Sequence, residues 1–229
     1  MEFEQFENFF EYYSNKPHQR LAIKTLYDEL EPRLKDDKAE WVRQYRNEGS
    51  APSTTTGFTP VRYFSQRDNY RDSSRTCFSS SCAMLVEALK PGTLNGPYGD
   101  DQYISKVFQN GDTTEASVQL KTLAEYGIDA KFIQNGSIEL LKNQLDKGVP
   151  VPIGILHKGP ADAPSGGGHW IIVIAYDDKG FIVHDPWGEI DHVSGEYVST
   201  NGESLHYSYN LIGKRWTVAS ANDGWAIIV

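Results

Sequence analysis

The chain has 229 residues, 39 % hydrophobic and 23 % charged, with a formal net charge of −9. That length suits one large domain, or a domain with a small appendage, and no apolar run reaches the roughly 18 residues of a membrane-spanning helix. An acidic balance without a Lys/Arg cluster argues against phosphate-backbone recognition and gives no attraction to anionic lipid, so neither nucleic acid nor membrane is an expected partner.

The first stretch, "MEFEQFENFFEYYSN", is acidic and lacks the basic start of a secretory signal peptide, so synthesis in the cytoplasm is expected, with export needing another route. Leu21, Ile23, Leu26, Leu30 and Leu34, then Trp41, Val42 and Tyr45, recur mostly at intervals of three or four, a helical period. Pro17 opens this helical region and Pro32 divides it. "NEGSAPSTTTGFTP" is small, polar and rich in turn formers, as linkers are. The expected organisation is a small helical region over residues 1–50, a linker over 51–60 and one domain over 61–229.

Within that domain "VRYFSQ" reads as an extended lead-in, and "SSCAMLVEALK" as a helix stopped by "PG". "DQYISKVFQ" and "ASVQLKTLAEYG" read as two more helices, the second closed by Gly127. "DAKFIQ" is strand-like, and "SIELLKNQLDKG" is a helix capped by Ser137 and closed by Gly148. "VPVPIGILH", "HWIIVIAYDD", "GFIVHDP", "RWTVAS" and "WAIIV" then read as short strands. Helices first and strands after indicate an α+β domain, not a doubly wound sheet.

The chain has two cysteines, Cys77 and Cys82, which can be a disulfide, two metal ligands, two buried thiols, or one reactive thiol beside an inert one. Structural zinc sites take four ligands in closely spaced pairs, and the nearest downstream histidine is His157, so zinc is disfavoured. With a helix starting near Ser79, residues 77 and 82 lie about 140° apart around it, poorly placed to bridge. Cys82, Leu85, Val86 and Leu89 form one helical stripe, which makes Cys82 a small core residue. Cys77 falls just before the first turn, where free N–H groups and the helix dipole favour a thiolate, although a second buried thiol fits the position equally well.

A cysteine nucleophile needs a base, a group to orient the base, and donors for the oxyanion. His169 follows three glycines and begins the apolar run Ile171–Ala175, at the mouth of a rigid strand. "YDDKG" is a turn signal, so this strand and "GFIVHDPWG" form a hairpin that carries Asp185 toward His169, with a bulge or an overhanging loop closing the mismatch in length. Gln66 can donate its amide alongside the Cys77 N–H. Taken singly, a strand histidine is usually structural, an Asp-Pro a turn former, and a loop glutamine merely solvated.

Together these residues form a pattern. "QRD" (66–68), "TCFSSSCAM" (76–84), "GGHW" (167–170) and "DPWG" (185–188) resemble the motifs of papain-like cysteine peptidases, closest to the branch related to bacteriocin-processing (double-glycine leader) peptidases. The resemblance covers roughly residues 60–195, departs at Phe78, where glycine is common, and lacks the transmembrane helices of exporting relatives. It implies a papain-like fold, with a nucleophile helix packed on an antiparallel sheet. Its implied catalytic residues are Cys77, His169, Asp185 and Gln66, with Gly168, Trp170 and Trp187 at the substrate and no metal or cofactor. "DNYRD" offers Asp68, Asn69 and Asp72 as oxygen ligands near the nucleophile, without a full calcium-loop pattern. "PHQRLAI…AEWVRQYR" is similar to a segment of phage lysis or tail-associated proteins. The expected function is thus hydrolysis of peptide or amide bonds in bacterial peptidoglycan, by a lysin that reaches the wall after release or as part of a virion. A non-catalytic virion component with the same shell, or an intracellular protease or toxin acting on proteins, are the alternatives.

Overall fold

The computed structural model describes residues 55–57 and 61–229; the helices expected over residues 1–50 lie outside the described residues. Two 3-10 turns, Gln66–Asp68 and Ser73–Arg75, lead into three helices, α1 (Cys77–Leu89), α2 (Gly99–Asn110) and α3 (Ala116–Glu125). Then come β1 (Lys131–Gly136), α4 (Ile138–Leu145), β2 (Val151–Ile155), β3 (His169–Tyr176) and β4 (Gly180–His184). The small strands β5 (Glu189–Ile190) and β6 (Tyr197–Ser199) pair with each other, and β7 (Leu205–Ser208), α5 (Tyr209–Trp216) and β8 (Gly224–Ile228) complete the chain. Among the described residues no helix is long and apolar enough to cross a membrane.

The main sheet runs β1-β8-β2-β3-β4-β7, antiparallel throughout, with the last strand inserted between β1 and β2. Its central strand β3 is buried on both faces, which is why its sequence is a continuous apolar run and not an alternating one. Trp170, Ile172 and Ile174 pack toward α1, whereas Ile171 and Val173 pack toward Leu141 and Leu145 of α4 and Ile212 and Trp216 of α5. Sheet alternation thus divides one strand between two cores. The expected β3–β4 hairpin forms, with Ile172 opposite His184, Tyr176 opposite Phe181, and a register shift between Val173 and Ala175.

Local signals explain most boundaries. Ser137 caps α4 by accepting the Leu140 N–H at 3.1 Å. Gly127 follows α3 in the left-handed conformation (φ +69), and its N–H and that of Ile128 close the last turn on Ala124 and Leu123. One strand assignment fails: "RWTVAS" begins inside α5. Ser208 caps that helix through the Leu211 N–H, and Ile212 and Trp216 bury its inner face, overriding the β-branched residues that follow.

The nucleophile helix also departs from expectation. It starts at Cys77, two residues before Ser79, and every residue from Cys77 to Glu87 is buried, so α1 runs through the core and not along its edge. Ser79, Ser80 and Ser81 are buried within this run. Ser79 Oγ meets Thr113 Oγ1 at 2.7 Å, and Ser80 donates to Asp100 Oδ2 at 2.7 Å. Both cysteines are free thiols, so no disulfide joins them.

Asp100 is 1 % exposed, and burial pushes its carboxyl up to about 7, against the Ser80 hydrogen bond and with help from the neighbouring charges of Asp101 and Asp68. A carboxyl that binds its proton more tightly when folded costs nothing below the unfolded value near 4 and costs most above pH 7. Asp100→Asn is therefore expected to gain stability over wild type as pH rises from 4 to 8, by up to about 4 kcal/mol at 1.36 kcal/mol per pKa unit. Urea unfolding of both proteins across that range checks it, and a pH-independent difference contradicts it.

Candidate active site

Cys77 is the first residue of α1, where the helix leaves N–H groups without intrahelical partners. Its thiol lies 3.4 Å from the Gly168 carbonyl, to which it donates. Gly168 precedes β3 with φ +94, a conformation that L side chains rarely adopt, and a Cβ there would meet nothing within 4 Å. The glycine thus supplies both the turn and an open wall beside the thiol.

His169 opens β3, directly after the Gly168 whose carbonyl receives the Cys77 thiol. Its Nε2 lies 2.8 Å from Asp185 Oδ1. Asp185 follows the last ladder pair of β4, and the bonded hairpin carries it past the end of the register to His169. The carboxylate is fully buried, accepts the Trp187 N–H at 2.8 Å, and is anchored by its own N–H on Gly202. An Asp-Pro turn former therefore also orients an imidazole.

Burial alone would lower the proton affinity of His169, but the Asp185 charge and hydrogen bond, with Cys77, push it up to about 10. His169 thus keeps its proton through neutral pH beside the thiol, and the stabilisation is present below the ordinary value of 6.5 and lost as pH rises toward 10. Asp185→Ala is expected to drop the His169 titration midpoint from near 10 to about 6.5 or below, because burial then meets little opposition. NMR titration of the imidazole checks this, and an unmoved midpoint contradicts it.

Gln66 reaches the same place from the other side. Its backbone N–H donates to Pro186 O at 2.9 Å, which joins the glutamine segment to the Asp185 turn. The side chain is 2 % exposed, and its Nε2 donates to Ser73 O at 2.7 Å, leaving the second amide proton for another acceptor. Gln66, Cys77, Gly168, His169 and Trp187 all line one cleft of about 690 Å³. The Arg67 guanidinium covers the Trp187 ring at 4.0 Å.

Trp170 is not in this cleft. Period-two alternation turns it away from His169 into the core, where it stacks on Phe78 at 3.6 Å. Asn69 does not present oxygens outward as a calcium ligand would; its amide donates inward to Thr76 and Ser80. No group of three His, Cys, Asp or Glu among the described residues is placed to hold a metal. His184 has a structural role, bonded to Val61 O and the Ser204 N–H.

His157, which the sequence marks only as a histidine near a strand, and Tyr197, which it does not single out, line the cleft beside His169 with ring centroids 5.3 and 6.0 Å from its own. Burial and the nearby His169 push His157 down to about 4, so it is neutral where His169 is charged. The signal for His157 was the strand pairing: Ile155 lies opposite His169, and His157 extends that strand past its mouth.

The sequence pattern of the Peptidase_C39 like family matches residues 58–216. Among solved structures, the chain is similar to a double glycine motif protease from an AMS/PCAT transporter, solved with its leader peptide, at 16 % identity and a TM-score of 0.46 over 75 % of this chain and 92 % of that one. A C39-like peptidase from Bacillus anthracis aligns at 15 % identity and a TM-score of 0.45, over 76 % of this chain and 97 % of that one. No curated protein matches.

Proposed function

The chain belongs to the Peptidase_C39 like family of cysteine peptidases, and from that premise we propose that it cleaves peptide bonds of bacterial peptidoglycan through Cys77. The observation that carries the catalytic reading is the line Cys77–His169–Asp185, closed by a 2.8 Å hydrogen bond at its far end and bordered by Gln66. His169 already holds the proton that Cys77 gives up, as an imidazolium beside the thiolate, and the thiolate attacks the carbonyl carbon of the substrate. The carbonyl oxygen takes up the electron pair and rests on the free Gln66 amide proton and the Cys77 N–H. His169 then gives its proton to the leaving amine, and water attacking the thioester regenerates the thiol. Asp185 holds the imidazole in place throughout.

The wall as substrate is supported by the resemblance of the N-terminal segment to phage lysis and tail-associated proteins. It is also supported by the polar groups of the cleft, Ser74, Thr114, Lys158 and Glu196, which suit a peptide bearing sugars and charges. On this reading a lysin reaches the wall after release or within a virion. The test is digestion of purified peptidoglycan, followed by turbidity and by mass analysis of released fragments. The expected result is a set of fragments with new amino termini, absent with Cys77→Ala. Cleavage of protein substrates with an untouched wall preparation would remove the wall from the proposal and leave a protease.

A further inference from the structure

The segment between Gln66 and Cys77 is held by one buried side chain. Asn69 is 9 % exposed, and its Nδ2 donates to Thr76 Oγ1 at 2.8 Å and to Ser80 Oγ at 3.0 Å. Both acceptors belong to the start of the nucleophile helix, one at its cap and one a turn further on. Each passes its own proton onward. Ser80 donates to Asp100 Oδ2, and Thr76 donates to Ser73 O at 3.3 Å. Ser73 O is the carbonyl that also receives the Gln66 amide at 2.7 Å. The Asn69 backbone N–H returns to Gln66 O at 3.3 Å.

The donor direction is fixed at the Ser73 end: a carbonyl only accepts, so Thr76 donates to it and accepts from Asn69, while Ser80 accepts from Asn69 and donates to the Asp100 carboxylate. The Gln66 amide has one orientation for the same reason: reversed, its oxygen would face the Ser73 oxygen. One Nε2 proton is thereby committed and the other uncommitted, on a residue that lines the cleft.

We propose that Asn69 is the positioning residue of the oxyanion site, tying the Gln66 amide to the nucleophile helix so that its free N–H and the Cys77 N–H point at one oxygen. The inference rests on Gln66 acting as an oxyanion donor. It separates two properties that one lesion usually mixes: the reactivity of the thiol, set by His169 and Asp185, and the stabilisation of a carbonyl oxygen, set by Gln66.

Two probes of the full chain divide them. Iodoacetamide alkylates a thiolate by displacing iodide and forms no oxyanion. N-acetylglycine p-nitrophenyl ester is attacked at its carbonyl, passes through an oxyanion, and releases nitrophenolate as the thioester forms. Loss of one oxyanion donor costs roughly 100- to 1,000-fold. Asn69→Ala, which displaces the donor without deleting it, is expected to slow acylation by about 10- to 100-fold. Alkylation of Cys77 should stay within about threefold of wild type, as expected when the thiolate's own partners are untouched. Gln66→Ala is expected to show the same split, and the double variant to lose little more than Gln66→Ala alone. Ser80→Ala, which removes one of the two acceptors, gives a smaller loss of the same kind and serves if Asn69→Ala does not fold. Equal losses with both probes would make Asn69 a support of the fold only, and unchanged acylation would overturn the proposal outright. Normal acylation by Gln66→Ala would overturn it through its premise, while leaving Cys77 and His169 as they stand.

Discussion

Replacing Cys77 with alanine is expected to lower peptide hydrolysis by roughly 10⁴-fold or more, the scale on which a covalent nucleophile contributes, while leaving thermal unfolding close to wild type. The small effect on stability follows from geometry. The thiol is 7 % exposed and makes a single long hydrogen bond to Gly168 O, so alanine removes little packing. Cys82 is expected to behave in the opposite way. It is fully buried beside Leu85 and Val86, and burial pushes its thiol far above the ordinary range. Cys82→Ala should cost about 1 kcal/mol in packing and leave the rate largely unchanged. Rates on a common peptide substrate and melting curves for both variants check the pair of statements. A catalytically competent Cys77→Ala would contradict the first, and an inactive but stable Cys82→Ala the second.

The largest effect on stability is expected at Arg215. This side chain is fully buried, and its guanidinium donates to Leu156 O, Lys158 O, Gly159 O and twice to His192 O. Burial draws its proton affinity down and the Asp191 charge opposes that. The carbonyls belong to two stretches that reach the cleft, one carrying His157, Lys158 and Gly159, the other leading to Gly195 and Glu196. A single side chain thus fastens one wall of the site to α5. Arg215→Met fills the volume but removes the guanidinium donors from those carbonyls, of which Lys158 O keeps the Ser165 N–H, at about 1–3 kcal/mol for each left buried and unpaired. A total of roughly 3–5 kcal/mol is expected, because some will find water. With 2–4 °C of melting temperature per kcal/mol in a domain of this size, that is a drop of about 6–20 °C. Arg215→Lys restores the charge but not the planar fork, and is expected to recover only part. A melting temperature within about 2 °C of wild type for Arg215→Met would show that the carbonyls do not depend on it.

Arg215 also shows where sequence reading stops. It lies in "RWTVAS", whose β-branched residues suggest a strand, while the facts that make it helical, the Ser208 cap and the burial of Ile212 and Trp216, depend on contacts made elsewhere in the chain. The five N–H groups converge on carbonyls more than twenty residues away, and no local pattern encodes that. By contrast α4, capped by Ser137, and the β3–β4 hairpin are set by short-range signals that the structure reproduces. The same holds for the meeting of His169 with Asp185, since a hairpin turns sequence spacing into proximity. Trp170, expected at the substrate, lies in the core instead: alternation along the strand puts it on the face opposite His169, and that outweighs its closeness in sequence. The inward turn of Ser79 and Ser80 is not legible in the sequence: only the packing of α2 and α3 over α1 directs them to Thr113 and Asp100.

The most direct test of the catalytic centre needs no knowledge of the substrate. Iodoacetamide is applied between pH 5 and 9 to wild type and His169→Ala, and labelling of Cys77 and Cys82 is resolved by mass spectrometry. A protonated His169 beside Cys77 and a buried Cys82 lead to rapid labelling of Cys77 already at pH 6, on the order of 100-fold faster than Cys82, with the advantage lost in His169→Ala. Equal inertness of the two thiols, or labelling of Cys77 that is indifferent to His169, would contradict a Cys77–His169 catalytic pair.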